Sequence, residues 1–161
     1  MAFPLRVIDA VRAAWPEDKP LSVRISATDW AEGGLAGDEP AQIAAMLKAH
    51  GVDIVDVSTG ETSATAMPVY GRLYQTPFAD EIRNEAGVPT IAVGNITEPD
   101  QINSILVAGR ADLVALGRPH LHDPVWTLRA AASAGHKDVF VPAPYAMGQA
   151  QALRLAQRPT T

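Results

Sequence analysis

Apolar positions along this chain follow two periods, one typical of amphipathic helices and one typical of short buried strands. In the first segment Leu5, Ile8 and Val11 recur at helical spacing, and the pattern stops before Pro16. The β-rich runs are nearly continuous in apolar residues, which is typical of strands covered on both faces. The pattern predicts helices over residues 5–14, 38–51, 76–87, 98–110 and 123–135, and strands over residues 21–27, 52–58, 89–94 and 111–117.

Strands that alternate with helices through short connections predict right-handed βαβ units around a parallel sheet, and thus an α/β fold. A flat sheet and a barrel both satisfy this pattern. Residues 51–57 (GVDIVDV) and 110–116 (RADLVAL) match in pattern, and repeated units of equal size favour a (β/α)8 barrel. We therefore predict one partial domain over residues 1–161, a (β/α)4 half of a TIM barrel, with a C-terminal tail and helix in residues 138–161.

A half barrel by itself leaves two open parallel edges and an uncovered apolar face. Two copies of the chain could remove both edges by closing into an eight-stranded assembly. We therefore expect either a homodimer or association with the missing half of the barrel.

The composition narrows the range of partners. The 161 residues carry 13 Lys and Arg against 18 Asp and Glu, for a formal charge of −5 without a basic block, so no nucleic-acid partner is expected. The absence of cysteine excludes disulfides, Cys-bound zinc and iron–sulfur clusters in this chain. The N-terminus lacks a signal-peptide pattern, and no apolar run reaches about 18 residues, the length of a membrane span. We therefore expect no membrane partner and a cytoplasmic location.

Two glycine turns follow neighbouring predicted strands and are candidates for an anion site. Gly94 ends the third strand and is followed by Asn95, and Gly117 ends the fourth strand and is followed by Arg118. In TIM barrels the loops after the last two strands commonly hold a phosphate group. Glycine lets backbone N–H groups approach an anion closely, and an arginine adds a bidentate pair. Spacing alone leaves a second interpretation open, in which the glycines only end strands and Arg118 forms a surface ion pair.

Arg24 lies between Val23 and Ile25 in the middle of the first predicted strand. A guanidinium in that position needs a partner, because burying an unpaired charge is costly. The partner is either structural, such as Asp56 on the next strand, or a ligand that carries negative charge in the mouth of a barrel.

Weaker candidates lie in the connections. Ser58, at the end of the second strand, is a candidate for the substrate side of the site, and a polar turn that ends a strand is the equal alternative. Tyr70 lies in the long loop 59–75, where a barrel enzyme places a substrate lid and where an ordinary loop is equally compatible. His120 and His122 lack a third ligand at a recognisable spacing, so no metal site is predicted.

Four ordered motifs resemble the C-terminal half of the Old Yellow Enzyme family of NAD(P)H:flavin oxidoreductases. They are PLSVRISATDWAEGGL (20–35), GVDIVDVSTG (51–60), TIAVGNIT (90–97) and GRADLVALGRPHLHDP (109–124). The resemblance is nearest to the thermophilic-like ene-reductases and to the reductase-like C-terminal region of bifunctional salicylyl-CoA 5-hydroxylases. It runs nearly from end to end and implies strands 5 to 8 of an FMN-binding TIM barrel.

By this resemblance Arg24 faces the N1/C2=O edge of the isoalloxazine, while Gly94, Gly117 and Arg118 hold the FMN phosphate, with Asn95 in the same turn as Gly94. In the family NAD(P)H reduces FMN, and the reduced flavin passes hydride to an activated alkene. A fixed guanidinium stabilises the negative charge that develops at the N1/C2=O edge. The remaining flavin-facing residues and the pair that binds the substrate carbonyl lie in the family's N-terminal half. The resemblance therefore implies an FMN-binding portion that is catalytically incomplete by itself.

Two other functions stay open at this point. A phosphate-binding barrel portion of the isomerase or aldolase type would use the same two loops. Such sites often rely on a lysine or a carboxylate base at a strand end, and Lys19, Lys48 and Lys137 all lie outside the predicted strands. The other alternative is a half barrel without catalytic activity that folds through self-association.

Overall fold

The computed structural model describes residues 1–60 and 62–157, and the chain divides into two compact units, Met1–Leu116 and Gly117–Thr161. The first unit contains α1 (Ala2–Ala14), β1 (Ser22–Ser26), α2 (Glu39–Ala49), β2 (Ile54–Ser58), α3 (Thr76–Glu81), a π-helical turn (Ile82–Ala86), β3 (Thr90–Ala92), α4 (Pro99–Val107) and β4 (Leu113–Val114). The second unit contains α5 (Arg118–His122), α6 (Trp126–Ser133), a 3₁₀ turn (Ala143–Tyr145) and α7 (Ala146–Ala156).

The strands of the first unit form one four-stranded parallel sheet in the order β1-β2-β3-β4. Strand order follows chain order, with a helix between each pair of neighbours, as βαβ units require. In the register Arg24 lies opposite Asp56, and Val57 lies opposite Ala92. The predicted α/β class and the predicted parallel sheet are therefore confirmed.

One face of the sheet builds the core. Val55 and Val57 of β2 are fully buried and belong to a cluster that also contains Ile82 and Ile105 from the helical segments. Because side chains alternate along a strand, Asp56 lies on the opposite face. Arg24, Asp56 and Ser58 therefore lie on the side of the sheet that the helices do not cover, whereas Thr90 of β3 is buried on the core side and donates to Ala79 O.

The segment after β4 differs from its prediction. The helix predicted from residue 123 begins at Trp126, and Arg118–His122 before it forms a helix of its own. Asp123 lies in the turn between the two helices, where its N–H donates to Pro119 O and its side chain accepts the N–H of Val125 at 3.2 Å. Asp123 thus accepts a hydrogen bond within the turn, and α6 begins three residues after the predicted start.

The C-terminal prediction is partly covered by the described residues. The 3₁₀ turn and α7 lie in the predicted tail and helix, of which residues 158–161 are outside the described part. The assignment of residues 1–161 to a single domain stays a prediction. In the described part of the chain no helix has both the length and the apolar character of a membrane span.

Candidate functional site

The candidate site of the first unit lies at the carboxyl ends of its strands, where three connections meet. The long loop 59–75 is bonded to the connection after β1 through Met67 N–H and Trp30 O at 2.9 Å. The same loop is bonded to the connection after β3 through Leu73 N–H and Asn95 O at 3.4 Å. Ligands of open parallel sheets and of barrels bind at this end of the strands.

Backbone strain is concentrated at this end of the sheet. Among the described residues, three non-glycine residues have positive φ, namely Trp30 at 54°, Leu73 at 59° and Asn95 at 51°. Such backbone is uncommon, and it collects at binding and catalytic sites, where the surrounding structure holds it in place. All three residues take part in the two hydrogen bonds that join the connections.

Arg24 contacts Asp56, the structural partner that the sequence offered as one of two alternatives. Its Nη1 donates to Asp56 Oδ2 at 3.1 Å, and its Nε donates to Ser58 Oγ at 3.2 Å. The Ser58 hydroxyl donates in turn to Ile25 O at 3.0 Å. The Arg24 side chain is nevertheless 57% exposed, so its guanidinium is paired but not buried. The reason is that the sheet face carrying Arg24 is not covered by the helices of this unit.

One carboxylate oxygen of Asp56 has no hydrogen-bond partner among the described residues. Its Oδ1 is buried and has no hydrogen-bond partner in the described part of the structure, although its Oδ2 accepts from Arg24. Likewise, Nη2 of Arg24 makes no hydrogen bond within residues 1–60 and 62–157. Nε and Nη1 of Arg24 are thus held by the sheet, and Nη2 is available to an acceptor.

Residues 94–96, which we call the 94–96 turn, have the geometry of an anion site. Gly94 has a φ of 106°, which favours glycine, and Asn95 follows in the left-handed region. Within the described residues the backbone N–H groups of Gly94, Asn95 and Ile96 donate to no acceptor. Successive free N–H groups in such a turn form a concavity that binds anions. The Asn95 side chain is held by a hydrogen bond from Nδ2 to Gly71 O at 2.8 Å.

Gln75 organises this end of the sheet, and sequence reasoning missed it. The side chain is buried, and its Oε1 accepts from both the N–H and the hydroxyl of Thr59. Its Nε2 donates to Val93 O at 3.3 Å. A Cβ at Gly94 would overlap the Gln75 side chain, so the two residues are in tight contact. A single glutamine between a loop and a helix start carries no periodic signal, and no pattern in the sequence could have found it.

Asp29 joins the connection after β1 to the long loop. Its carboxylate accepts the Thr62 hydroxyl and, at 2.8 Å, the N–H of Leu35. These two hydrogen bonds lower the pKa of Asp29 from its ordinary value. The residue therefore stays an anion that fixes both connections.

The two substrate-side candidates have different surroundings. Tyr70 is 69% exposed on the long loop, and its ring meets that of Tyr74 edge to face at 5.4 Å between centroids. Ser58 is engaged on both sides, by Arg24 and by Ile25 O. The Tyr70 side chain is thus accessible to a ligand, whereas the Ser58 hydroxyl is already hydrogen-bonded to residues of β1.

Gly117 and Arg118 belong to the second unit, where they begin α5. Gly117 is the N-cap residue with a φ of −100°, so its backbone does not require glycine. Arg118 is exposed and forms no ion pair within the described residues, while the nearby Arg129 pairs with Asp123. Of the predicted site residues, the structure therefore brings Ser58, Gly94 and Asn95 to one end of the sheet in the first unit, and Arg24, in the middle of β1, is linked to that end by its hydrogen bond to Ser58.

Comparison with known proteins gives a consistent family signal. Residues 1–136 match the model of the NADH:flavin oxidoreductase / NADH oxidase family. An NADPH dehydrogenase of Geobacillus thermodenitrificans is 47% identical over 142 residues, which cover 88% of this chain and 41% of the relative. An NADPH dehydrogenase of Listeria welshimeri is 46% identical over 129 residues, which cover 80% of this chain and 37% of the relative. The chain therefore spans about two fifths of the length of these curated relatives.

A solved structure shares the fold. A structure of morphinone reductase in complex with tetrahydroNAD superposes with a TM-score of 0.55 at 23% sequence identity. The superposition covers 81% of this chain and 34% of that chain. At this identity the likeness supports the fold alone.

Proposed function

The chain belongs to the NADH:flavin oxidoreductase / NADH oxidase family, the Old Yellow Enzyme family, and we propose on that premise that it is the FMN-binding portion of an NAD(P)H-dependent oxidoreductase of the ene-reductase type. Family membership confirms the resemblance carried by the four sequence motifs. It also removes support from the isomerase or aldolase alternative. Since the chain spans about two fifths of its curated relatives, we expect little or no turnover of an activated alkene from this chain alone.

The proposed architecture is the C-terminal (β/α)4 half of a TIM barrel, strands 5 to 8. Its support is the parallel sheet in chain order and the placement of the candidate residues at the carboxyl ends of the strands. The likeness to a solved chain of which only 34% is covered fits a partial barrel.

The observation that carries the proposal is the set of free N–H groups in the 94–96 turn. Together with the positive φ of Gly94, they suit the phosphate of FMN, which is a dianion that backbone donors bind well. By the family resemblance we also propose that Gly117 offers a backbone donor and Arg118 a guanidinium to FMN. FMN, when bound, supplies the redox chemistry by accepting electrons from NAD(P)H and passing them to an acceptor.

Arg24 is proposed to face the N1/C2=O edge of the flavin. Asp56 and Ser58 hold its guanidinium by Nη1 and Nε, so the positive charge is fixed in place. A fixed charge stabilises negative charge that develops beside it without the cost of reorganising the site. The free Nη2 is the donor that would reach the flavin edge.

On the substrate side we propose Tyr70, which the long loop exposes near the same end of the strands. Ser58 remains a second candidate, although its hydroxyl already serves Arg24 and Ile25. The partner that completes the barrel is proposed to be a second copy of the chain, or the missing half of the family domain. Both would cover the free edges of β1 and β4, each of which has one neighbour in the sheet.

The proposal is tested by titrating the purified chain with FMN and following flavin fluorescence. We expect saturable binding that Arg24→Ala and Arg118→Ala each weaken by about tenfold, the loss of roughly one charge-assisted hydrogen bond. Arg154→Ala is the matched control, because Arg154 is exposed on α7 and, among the described residues, its side chain bonds only to Ala150 O. No saturable binding at tens of micromolar would contradict an FMN site in this chain, as would equal weakening by all three substitutions.

A further inference from the structure

We propose that Gln75 is the positioning residue of the 94–96 turn and that it couples this turn to the long loop. The inference rests on the proposed function, in which the turn binds the phosphate of FMN. Gln75 does not contact the phosphate in this account. It acts through the backbone of Val93 and Gly94.

Both atoms of the Gln75 amide that can form hydrogen bonds have partners. Oε1 accepts two hydrogens from Thr59 at the end of β2, and Nε2 donates to Val93 O at the end of β3. The side chain is 5% exposed, so water does not replace these partners cheaply. One buried side chain thereby sets the spacing between the carboxyl ends of two neighbouring strands.

The same side chain supports the turn by contact. Gly94 lies so close to Gln75 that any Cβ at this position would overlap its side chain. The hydrogen bond to Val93 O fixes the peptide just before Gly94, where the chain enters its positive-φ conformation. If the Gln75 side chain moves, the turn loses both its anchor and its packing surface.

The long loop is tied to the turn by two further hydrogen bonds. Leu73 N–H donates to Asn95 O at 3.4 Å, and Asn95 Nδ2 donates to Gly71 O at 2.8 Å. Residues 71–75 and residues 93–95 are therefore joined at three points, with Tyr70 directly before the joined segment. An anion that orders the turn must also order this part of the loop, because the two share their hydrogen bonds.

Gln75→Glu is the informative substitution. It keeps the size of the side chain and an acceptor for Thr59, but it replaces the donor to Val93 O with a carboxylate oxygen. Two acceptors then face each other in a buried place, which is unfavourable. Gln42→Glu is the matched control, because Gln42 is exposed on α2 and its side chain bonds, within the described part of the chain, only to the Asp38 carboxylate at 2.8 Å.

The first measurement is amide hydrogen exchange of the chain without any flavin. We expect exchange at Thr59 and Leu73 to become at least about tenfold faster in Gln75→Glu, with exchange in the middle of α2 unchanged. The control Gln42→Glu should match the wild type at both amides. Unchanged exchange at Thr59 and Leu73 in Gln75→Glu would overturn the positioning role, whatever the chain binds.

The second measurement separates the phosphate from the ring by comparing FMN with riboflavin. We expect Gln75→Glu to weaken FMN binding by about tenfold and riboflavin binding by less than about twofold. A fold defect would lower both affinities equally, and that result would overturn the assignment of Gln75 to the phosphate turn. Faster exchange in a chain whose wild type binds neither flavin would instead overturn the proposed function and retain Gln75 as the organiser of the turn.

Discussion

Gly94 and Gln75 are in contact at the carboxyl end of β3, and each limits which residue the other position can hold. Gly94→Ala requires a Cβ at a φ of 106° and in overlap with the Gln75 side chain. We expect it to lower the free energy of unfolding by about 3 kcal/mol, from backbone strain together with overpacking. Urea denaturation followed by circular dichroism measures this change.

Gly37→Ala is the control for that substitution. Gly37 also has a positive φ, 63°, but a Cβ there would meet no atom within 4 Å. Its cost should be that of the backbone conformation alone, about 1 kcal/mol. Equal costs at the two glycines would show that the contact with Gln75 adds nothing.

The pair of Arg24 and Asp56 shows what can be predicted for a single residue. The sequence placed both on neighbouring strands and named their contact as one of two alternatives, and the contact is present at 3.1 Å. The exposure of the Arg24 side chain could not be predicted, because it depends on what covers the sheet, which no local pattern reports. Gln75 was missed because its partners lie 16 and 18 residues away along the chain.

At the scale of the elements, Asp112 lies directly before β4 and joins the π-helical turn to β3. The carboxylate accepts Arg83 Nε and Nη2, each at 3.0 Å, and also the N–H of Thr90 at the start of β3. Arg83 additionally donates to Gly109 O at 2.9 Å. The hydrogen bonds from Arg83, followed by that from Thr90, lower the pKa of Asp112 below its ordinary value of 3.8.

The lowered pKa predicts a pH-dependent contribution to stability. The folded state binds a proton at Asp112 less readily than the unfolded state does, so the contribution is complete above 3.8 and is lost as the pH falls below that value. Asp112→Asn should cost about 1 kcal/mol at pH 6, because the side chain is partly exposed and solvent screens the pair. Urea unfolding at pH 6 and pH 3 checks this, with the difference from wild type expected to shrink at the lower pH.

A matched substitution separates this pair from the general effect of removing a negative charge. Asp18 is exposed in the connection between α1 and β1, so Asp18→Asn changes the net charge by the same amount. We expect it to leave the unfolding free energy nearly unchanged at both pH values. A difference for Asp112→Asn that stays constant or grows toward pH 3 would contradict the assigned pair.

Helix and strand types were predictable, whereas several of their ends were not. Every predicted strand and each of the five predicted helices is present, because the apolar periods act locally. The helix predicted over residues 76–87 changes at Ile82 into a π-helical turn that ends before Gly87. The short helix α5 arises where Asp123 ends a turn. Both features depend on hydrogen-bond choices of single residues, which a periodic pattern does not encode.

For the whole molecule, the main question is what covers the open surfaces of the first unit. The apolar residues at every fourth position along α1 and at its C-cap are exposed, namely Phe3, Val7, Val11 and Trp15. They line a groove of about 530 Å³. Leu113 of β4 is also more than half exposed, and the sheet has free edges at β1 and β4. An exposed apolar stripe and an open strand edge are each typical of a surface that another chain covers.

A second copy of the chain is the simplest occupant of this surface, since a two-fold arrangement can pair β1 of one copy with β4 of the other in parallel. We therefore expect light scattering at micromolar concentration to give about twice the 17.0 kDa mass of the chain. The double substitution Val7→Glu with Val11→Glu places two charges in the stripe and should shift the mass toward the monomer. Far-UV circular dichroism should show that the helices remain.

Ala13→Glu is the control for the dimer, because Ala13 is exposed on α1 outside the groove. It should leave the mass at that of the dimer. A wild-type chain with the mass of a monomer would exclude the second copy and leave the missing half of the family domain as the occupant. The two occupants also differ in consequence, because a dimer of this chain repeats Arg24 and the 94–96 turn in each copy. Two FMN molecules per dimer would then be the binding stoichiometry, whereas a barrel completed by the other half of the domain would bind one.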